Sequence, residues 1–226
     1  MLLGASLRSG AQLLDVGTGS GWIAQYFANH PDHKLRVWAV DAKDERIIRE
    51  GVSFHLIEGT ELPFPDQSFD VVVSNHVIEH VGDNAAQLRH LQEARRVLKP
   101  GGVVYLAVPN RWSLVEPHFR LPFLSWLPSA LASRYVRLAN RGAWYDCRPL
   151  GPLACRNLFR AAAFDWRDSA ARAFVALLKL EYPSAVLAAW LASVVEYAFA
   201  SVFGFLSPTQ IFILEPRRPD SKASVS

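Results

Sequence analysis

Short apolar runs alternate with amphipathic stretches over the first 110 residues. Residues 12–16, 35–40, 53–57, 69–74 and 103–108 are rich in β-branched and aliphatic side chains and have strand length. The fourth run carries three consecutive valines, Val71, Val72 and Val73, as a strand buried on both faces would. Between these runs the pattern changes to helical spacing over residues 21–29 and 84–98. The second of these stretches ends in a basic turn and in Lys99-Pro100-Gly101-Gly102, a stop signal. Pro63, Pro65, Asp66 and Gln67 mark a turn-rich loop. Strands that alternate with helices imply right-handed crossovers and a parallel sheet with helices on both faces. Ligands of such sheets bind in the crevice at the carboxyl ends of the strands.

The rhythm breaks after position 110. Residues 111–150 mix prolines (Pro117, Pro122, Pro128, Pro149) with Trp112, Phe119, Phe123, Trp126, Trp144 and Tyr145. They read as an inserted cap over the site, the aromatics serving its packing. A helix is predicted over 153–163 and a last strand over 209–214. Residues 184–206 are apolar apart from Glu196, and a carboxylate near the middle is costly in lipid. They predict a helix packed in the core, with contact to a membrane surface as the alternative. The polar tail, residues 217–226, is expected to be disordered. One domain over 1–216 accounts for the chain.

Charge changes this picture in one respect. Residues 1–110 hold ten Lys/Arg against thirteen Asp/Glu, whereas residues 111–172 hold ten Arg, no Lys and four acids. An arginine-only segment suits an anionic partner, because guanidinium pairs with phosphate or carboxylate through two hydrogen bonds; a solvated face is the plain alternative. Cys147 and Cys155 are the only cysteines. Two make neither a metal cluster nor a disulfide framework, so a reduced, cytoplasmic setting is expected. The N-terminal residues lack the pattern of a secretory signal.

The sharpest chemical signal is Leu14-Asp15-Val16-Gly17-Thr18-Gly19-Ser20-Gly21, with Asp41 twenty residues after Gly21 at the end of the second predicted strand. A strand running into glycines lets backbone approach a nucleotide-like ligand at a helix N-terminus, and the later acid meets ribose hydroxyls. The dinucleotide pattern G-x-G-x-x-G needs glycine at position 22, where Trp22 stands; an NAD enzyme therefore fails on spacing. Further on come Glu61-Leu62-Pro63-Phe64-Pro65-Asp66-Gln67-Ser68-Phe69-Asp70 and Val97-Leu98-Lys99-Pro100-Gly101-Gly102.

With these four stretches in order, the chain resembles the class I S-adenosylmethionine-dependent methyltransferases of the methyltransferase-11-like group, from about Ala11 to Asn110. The resemblance implies an α/β, Rossmann-like doubly wound sheet, mostly parallel with an antiparallel last strand, and S-adenosyl-L-methionine as cofactor. It places Gly17, Thr18, Gly19, Ser20 and Gly21 against the methionine part of the cofactor, with Asp15 ordering the loop. It puts Asp41 and Ala42 at the ribose, Glu58 and Gly59 at the adenine in place of the family's usual Asp, and Asn75 near the sulfonium.

His76-Val77-Ile78-Glu79-His80 matches H-x-x-E-H, but its place directly after a buried strand of a cofactor fold speaks against the zinc-protease reading of that pattern. Related ubiquinone-pathway and small-RNA methyltransferases carry E-x-x-E-H here and bind a divalent ion. His76 replaces the first Glu, and hard cations prefer carboxylate, so no metal is assigned. His80 and His118 are the candidate catalytic residues, as general base or acceptor contact. The resulting expectation is methyl transfer, at oxygen, to a small-molecule or lipid-linked acceptor of anionic character, with peripheral membrane contact through 184–206. A nucleic-acid methyltransferase and a non-catalytic cofactor-binding subunit are the alternatives; the modest net charge of +3 speaks against the former.

Overall fold

In the computed structural model the described residues are Leu3, 6–181 and 207–217. Seven strands form one sheet: β1 (Gln12–Val16), β2 (Arg36–Asp41), β3 (Ser53–Leu56), β4 (Phe69–Asn75), β5 (Leu98–Pro109), β6 (Phe164–Asp168) and β7 (Thr209–Pro216). Their spatial order is β3-β2-β1-β4-β5-β7-β6. The first five are parallel, and β7 runs antiparallel to both β5 and β6. The chain builds outward from β1 to β3, then returns to start β4 on the other side of β1. The crevice therefore opens between the carboxyl ends of β1 and β4.

Alternate side chains divide the core into two layers. Leu14, Val72, Val104 and Leu106 pack with Leu91, Ala94 and Val97 of α2 (Asn84–Val97) and with Cys155 and Phe159 of α4 (Pro152–Ala161). Leu13, Val71, Val73 and Val103 face the other way, against Ala24, Ile23 and Phe27 of α1 (Trp22–Ala28). Helix α2 starts where the Asp83 carboxylate accepts the Ala86 N–H at 2.9 Å, and it ends with Arg95 and Arg96 in its last turn.

The helix over 84–98 and the strands of the first half fall where the periodicity puts them, with two informative shifts. Strand β5 begins at Leu98 rather than 103, because Leu98 pairs with Phe69 before a register shift, so Lys99-Pro100-Gly101-Gly102 lies inside the strand. Lys99 Nζ then reaches Asp70 at 2.7 Å. Strand β6 was not expected: among its residues only Phe164 is buried, so Phe-Asp-Trp-Arg-Asp reads as surface. Helix α5 (Ala170–Glu181) was not expected either.

The cap over 111–150 contains a 3-10 turn (Leu124–Trp126) and α3 (Ser129–Leu138). Its own small core is Leu121, Leu124, Ala132 and Val136. The last two lie one helical turn apart, too thin a stripe to announce a helix among prolines and aromatics. Arg148 N–H to Glu79 O (2.8 Å) ties the cap to the body, Arg111 N–H to Leu150 O (3.3 Å) joins the two ends of the cap, and Asn110 N–H to Pro208 O (2.9 Å) fixes the chain just before the cap leaves it. Cys147 and Cys155 are both free and buried. The apolar stretch 184–206 and the tail beyond 217 lie outside the described residues. No described helix is long and apolar enough to cross a membrane.

Candidate functional site

The glycine loop leaves β1 at Val16. Gly17 N–H donates to Val40 O at 2.8 Å, and Gly21, in the left-handed region at φ 86°, opens α1. A side chain at Gly17 would collide with Val77, whose methyls fill that space, and the φ of +68° already disfavours one. The close approach joins the loop to the turn that carries His76 and His80. Trp22 is the first residue of α1 and is 57% exposed, a position where a bulky side chain costs nothing.

Asp15 is buried behind the loop and accepts the Thr18 hydroxyl at 2.7 Å; burial pushes its carboxyl up to about 6. Asp41 ties β2 to the loop, because its carboxylate accepts Gly19 N–H at 2.8 Å and Ala42 N–H at 2.7 Å. Ser20 is exposed, and its carbonyl accepts Ile47 N–H. The end of β3 lies beside Asp41 through Ile57 N–H to Asp41 O at 3.0 Å, which leaves Glu58 and Gly59 exposed at the same rim. Asn75 ends β4 on the opposite wall. The cofactor-site residues expected from the sequence thus share one edge of the sheet. A cavity of about 730 Å³ lies elsewhere, on the α1 face between Tyr26, Tyr105 and Leu177, and touches this set only at Asn75.

The histidines gather in a way the sequence does not reveal. His76 sits in the left-handed region at φ 57°, a conformation uncommon outside glycine and frequent at functional sites. Its Nε2 is 3.4 Å from Thr209 Oγ1 and its Nδ1 is 3.6 Å from Glu79 Oε1. Glu79 is fully buried, and neither carboxylate oxygen has a hydrogen-bond partner among the described residues. Burial pushes its carboxyl up to about 7. The cap then delivers His118, whose Nε2 lies 3.5 Å from the same Glu79 oxygen. His118 Nδ1 pairs with buried Glu116 at 2.9 Å, which raises the imidazole above its ordinary value. His80 packs edge-on to His118 with ring centroids 5.3 Å apart, and burial lowers its pKa. Cys147 Sγ lies 4.0 Å from both His80 ring nitrogens, its thiol pushed up by burial.

Sequence reasoning had singled out His80 and His118 separately; it missed Glu116 and Cys147. The spacing Glu116-Pro117-His118 was the one local hint, and Cys147 had none. The gathered groups also fit a divalent cation of borderline softness. His76, Glu79 and His118 offer ligand atoms within 4.8 Å of one another, as do His80, His118 and Cys147. Imidazole and thiolate suit such ions where magnesium prefers oxygen. An ion held by His76, Glu79 and His118 would make a hydroxyl beside it more acidic.

Residues 14–106 match a family model described as a methyltransferase domain. A ubiquinone biosynthesis O-methyltransferase of Paramagnetospirillum magneticum is 35% identical over 175 residues, covering 71% of this chain and 68% of that protein. A ubiquinone/menaquinone biosynthesis C-methyltransferase of Cupriavidus metallidurans is 30% identical over 141 residues, 57% of each. The chain thus spans little more than half the length of that curated relative. Among solved structures, the YcgJ protein of Bacillus subtilis superposes with a TM-score of 0.56 at 16% identity, over 96% of this chain and 97% of that one. A putative sarcosine dimethylglycine methyltransferase of Galdieria sulphuraria gives 0.56 at 16% identity, over 96% and 82%. Those two likenesses establish the fold. With the glycine loop, the acid at the end of β2 and the antiparallel seventh strand in place, this chain belongs to the class I S-adenosylmethionine-dependent methyltransferases.

Proposed function

We propose that the protein transfers the methyl group of S-adenosyl-L-methionine to a hydroxyl oxygen of a small-molecule acceptor, and that His118 receives the acceptor's proton. The observation that carries this reading is the Glu116–His118 pair, delivered by the cap onto the His76–His80 turn, which itself packs on Gly17 through Val77.

The sulfonium methyl is already activated, so the protein's task is alignment, exclusion of water and removal of one proton. The acceptor oxygen attacks the methyl carbon in line with the carbon–sulfur bond. An oxygen–carbon bond forms, the carbon–sulfur pair returns to sulfur, and the hydroxyl proton passes to His118 Nε2. The products are a methyl ether, S-adenosylhomocysteine and a protonated imidazole. Glu116 holds the Nδ1 proton and stabilises the imidazolium. Glu79, kept largely neutral up to about pH 7 by burial, adds no full charge to the pocket in acid. A base within reach suits transfer to oxygen, where the proton must leave.

Calorimetric titration with S-adenosylmethionine, S-adenosylhomocysteine and NAD, paired with transfer of labelled methyl to a panel of phenols and alcohols, tests this. Binding of the first two and not of NAD, with base-stable label in the small-molecule fraction, is the expected result. Label found only on carbon or only in RNA overturns it, as does tight cofactor binding without any transfer. If a chelator abolishes transfer and zinc restores it, the proton-accepting role moves from His118 to a metal-bound group.

A further inference from the structure

We infer that the cavity between the cap and the N-terminus of α4 binds an anionic group, a phosphate or a carboxylate, carried by the methyl acceptor. The cavity measures about 480 Å³, and no carboxylate is among the described residues that line it. It rests on the methyl-transfer reading above only for the identity of its ligand.

Two observations bear on the sign of the ligand's charge and two on its hydrogen bonding. First, Arg111 and Arg148 both line the cavity, and neither has a carboxylate within ion-pairing distance among the described residues. Second, Gly151 and Ala154 line it from the first turn of α4, a ten-residue helix with no side-chain cap and no acid in that turn. The unsatisfied N–H groups and positive dipole end of such a helix favour an anion. Third, Ser125 is 3% exposed and lines the same cavity, yet its hydroxyl has no partner among the described residues. Fourth, the Tyr145 hydroxyl is likewise buried and unpartnered among the described residues. Buried hydroxyls are normally satisfied, so two unpartnered hydroxyls on residues that line one cavity with two arginines mark a place for an acceptor of hydrogen bonds. Phosphate and carboxylate oxygens accept from hydroxyls, guanidinium and helix N–H groups alike.

The position fits a substrate subsite. Cys147 lines the cavity and also touches His80, so one residue separates the anion site from the histidine cluster. The cavity wall is braced by Gln87, whose Nε2 donates to Arg148 O at 3.0 Å and to Ile78 O at 3.2 Å. The arginines that carry the cap's charge elsewhere are not part of it: Arg134 and Arg137 stand exposed on α3, and Arg141 is exposed just beyond it.

The test uses the whole chain with S-adenosylhomocysteine present, titrated with inorganic phosphate and separately with acetate, and followed by amide shifts and by thermal midpoint. Saturable shifts at Ser125, Gly151 and Ala154 are expected. R111A/R148A is expected to weaken binding at least about tenfold, the loss of a charge-assisted hydrogen bond or more. The R111K/R148K pair, which keeps charge and fold, retains part of it. S125A weakens it less, and R134A/R137A/R141A leaves it unchanged. Tighter binding of acetate than of phosphate assigns the site to a carboxylate, the reverse to a phosphate. Absence of saturation with both anions, or an equal loss in the triple variant, overturns the site. Methyl transfer is measured in the same preparations: transfer without anion binding sinks this inference alone, and anion binding without transfer sinks the proposed activity alone.

Discussion

The donor side and the acceptor side of this molecule are built by different means. On the donor side, residues 14–21 make a cradle of backbone, in which Gly17 N–H donates to the Val40 carbonyl and Gly19 N–H to the Asp41 carboxylate, both of β2. On the acceptor side, Glu79, His80, Glu116, His118 and Cys147 converge as side chains from segments up to about 70 residues apart. The first design tolerates almost no change of residue, because any Cβ at Gly17 meets Val77. The second tolerates change of residue type while the positions hold. A cofactor common to many enzymes calls for the first; an acceptor that differs from one enzyme to the next calls for the second.

The contrast can be broken by mutation. The largest effect is expected for His118→Ala, which should lower the rate of transfer to oxygen by about 10²- to 10⁴-fold while leaving S-adenosylhomocysteine affinity intact, as calorimetry and single-turnover assays would show. Gly17→Ala should do the reverse, weakening cofactor binding by about a hundredfold through left-handed strain and overlap with Val77. Adding Val77→Ala should recover part of that loss by removing the overlap and leaving the strain.

Glu79→Gln sharpens the comparison through pH. The folded-state pKa of about 7 lies above the ordinary 4.5, so the folded protein holds its proton longer than the unfolded chain. Stability from this group is therefore full below about pH 4.5 and is lost as pH rises through 7, by roughly 3 kcal/mol. The glutamine variant should match the native protein near pH 4 and exceed it at pH 8 by up to that amount, in denaturant unfolding at the two pH values. Glu116→Gln is expected to give the smallest change. His118 would lose the partner that raises its pKa, so the acid limb of the rate profile should move to lower pH, with a rate loss of about tenfold.

Legibility followed the same division. Residues 12–16 and 69–74 showed themselves as strands because local β-propensity and two-sided burial point the same way there. Strand β6 stayed hidden because an edge strand with one buried residue has no apolar run to show. Helix α3 stayed hidden because its buried face is only Ala132 and Val136. The arginine excess of 111–172 was visible, but not which arginines matter: all five of Arg111, Arg134, Arg137, Arg141 and Arg148 are exposed, and only Arg111 and Arg148 line the cavity. Only the fold of the cap sorts them.

By itself, the sequence determined the cofactor class, because the chemistry of that site is written in left-handed backbone at Gly17, Gly19 and Gly21, which the glycine residues themselves permit. Tertiary structure alone decided the acceptor side. His118 is 39 residues from Glu79 in the chain and 3.5 Å from it in space, and Arg111 and Ser125 meet the start of α4 only through the fold of the cap. Contacts between segments that far apart are set by packing of the whole domain, which no local pattern of apolar and polar residues encodes.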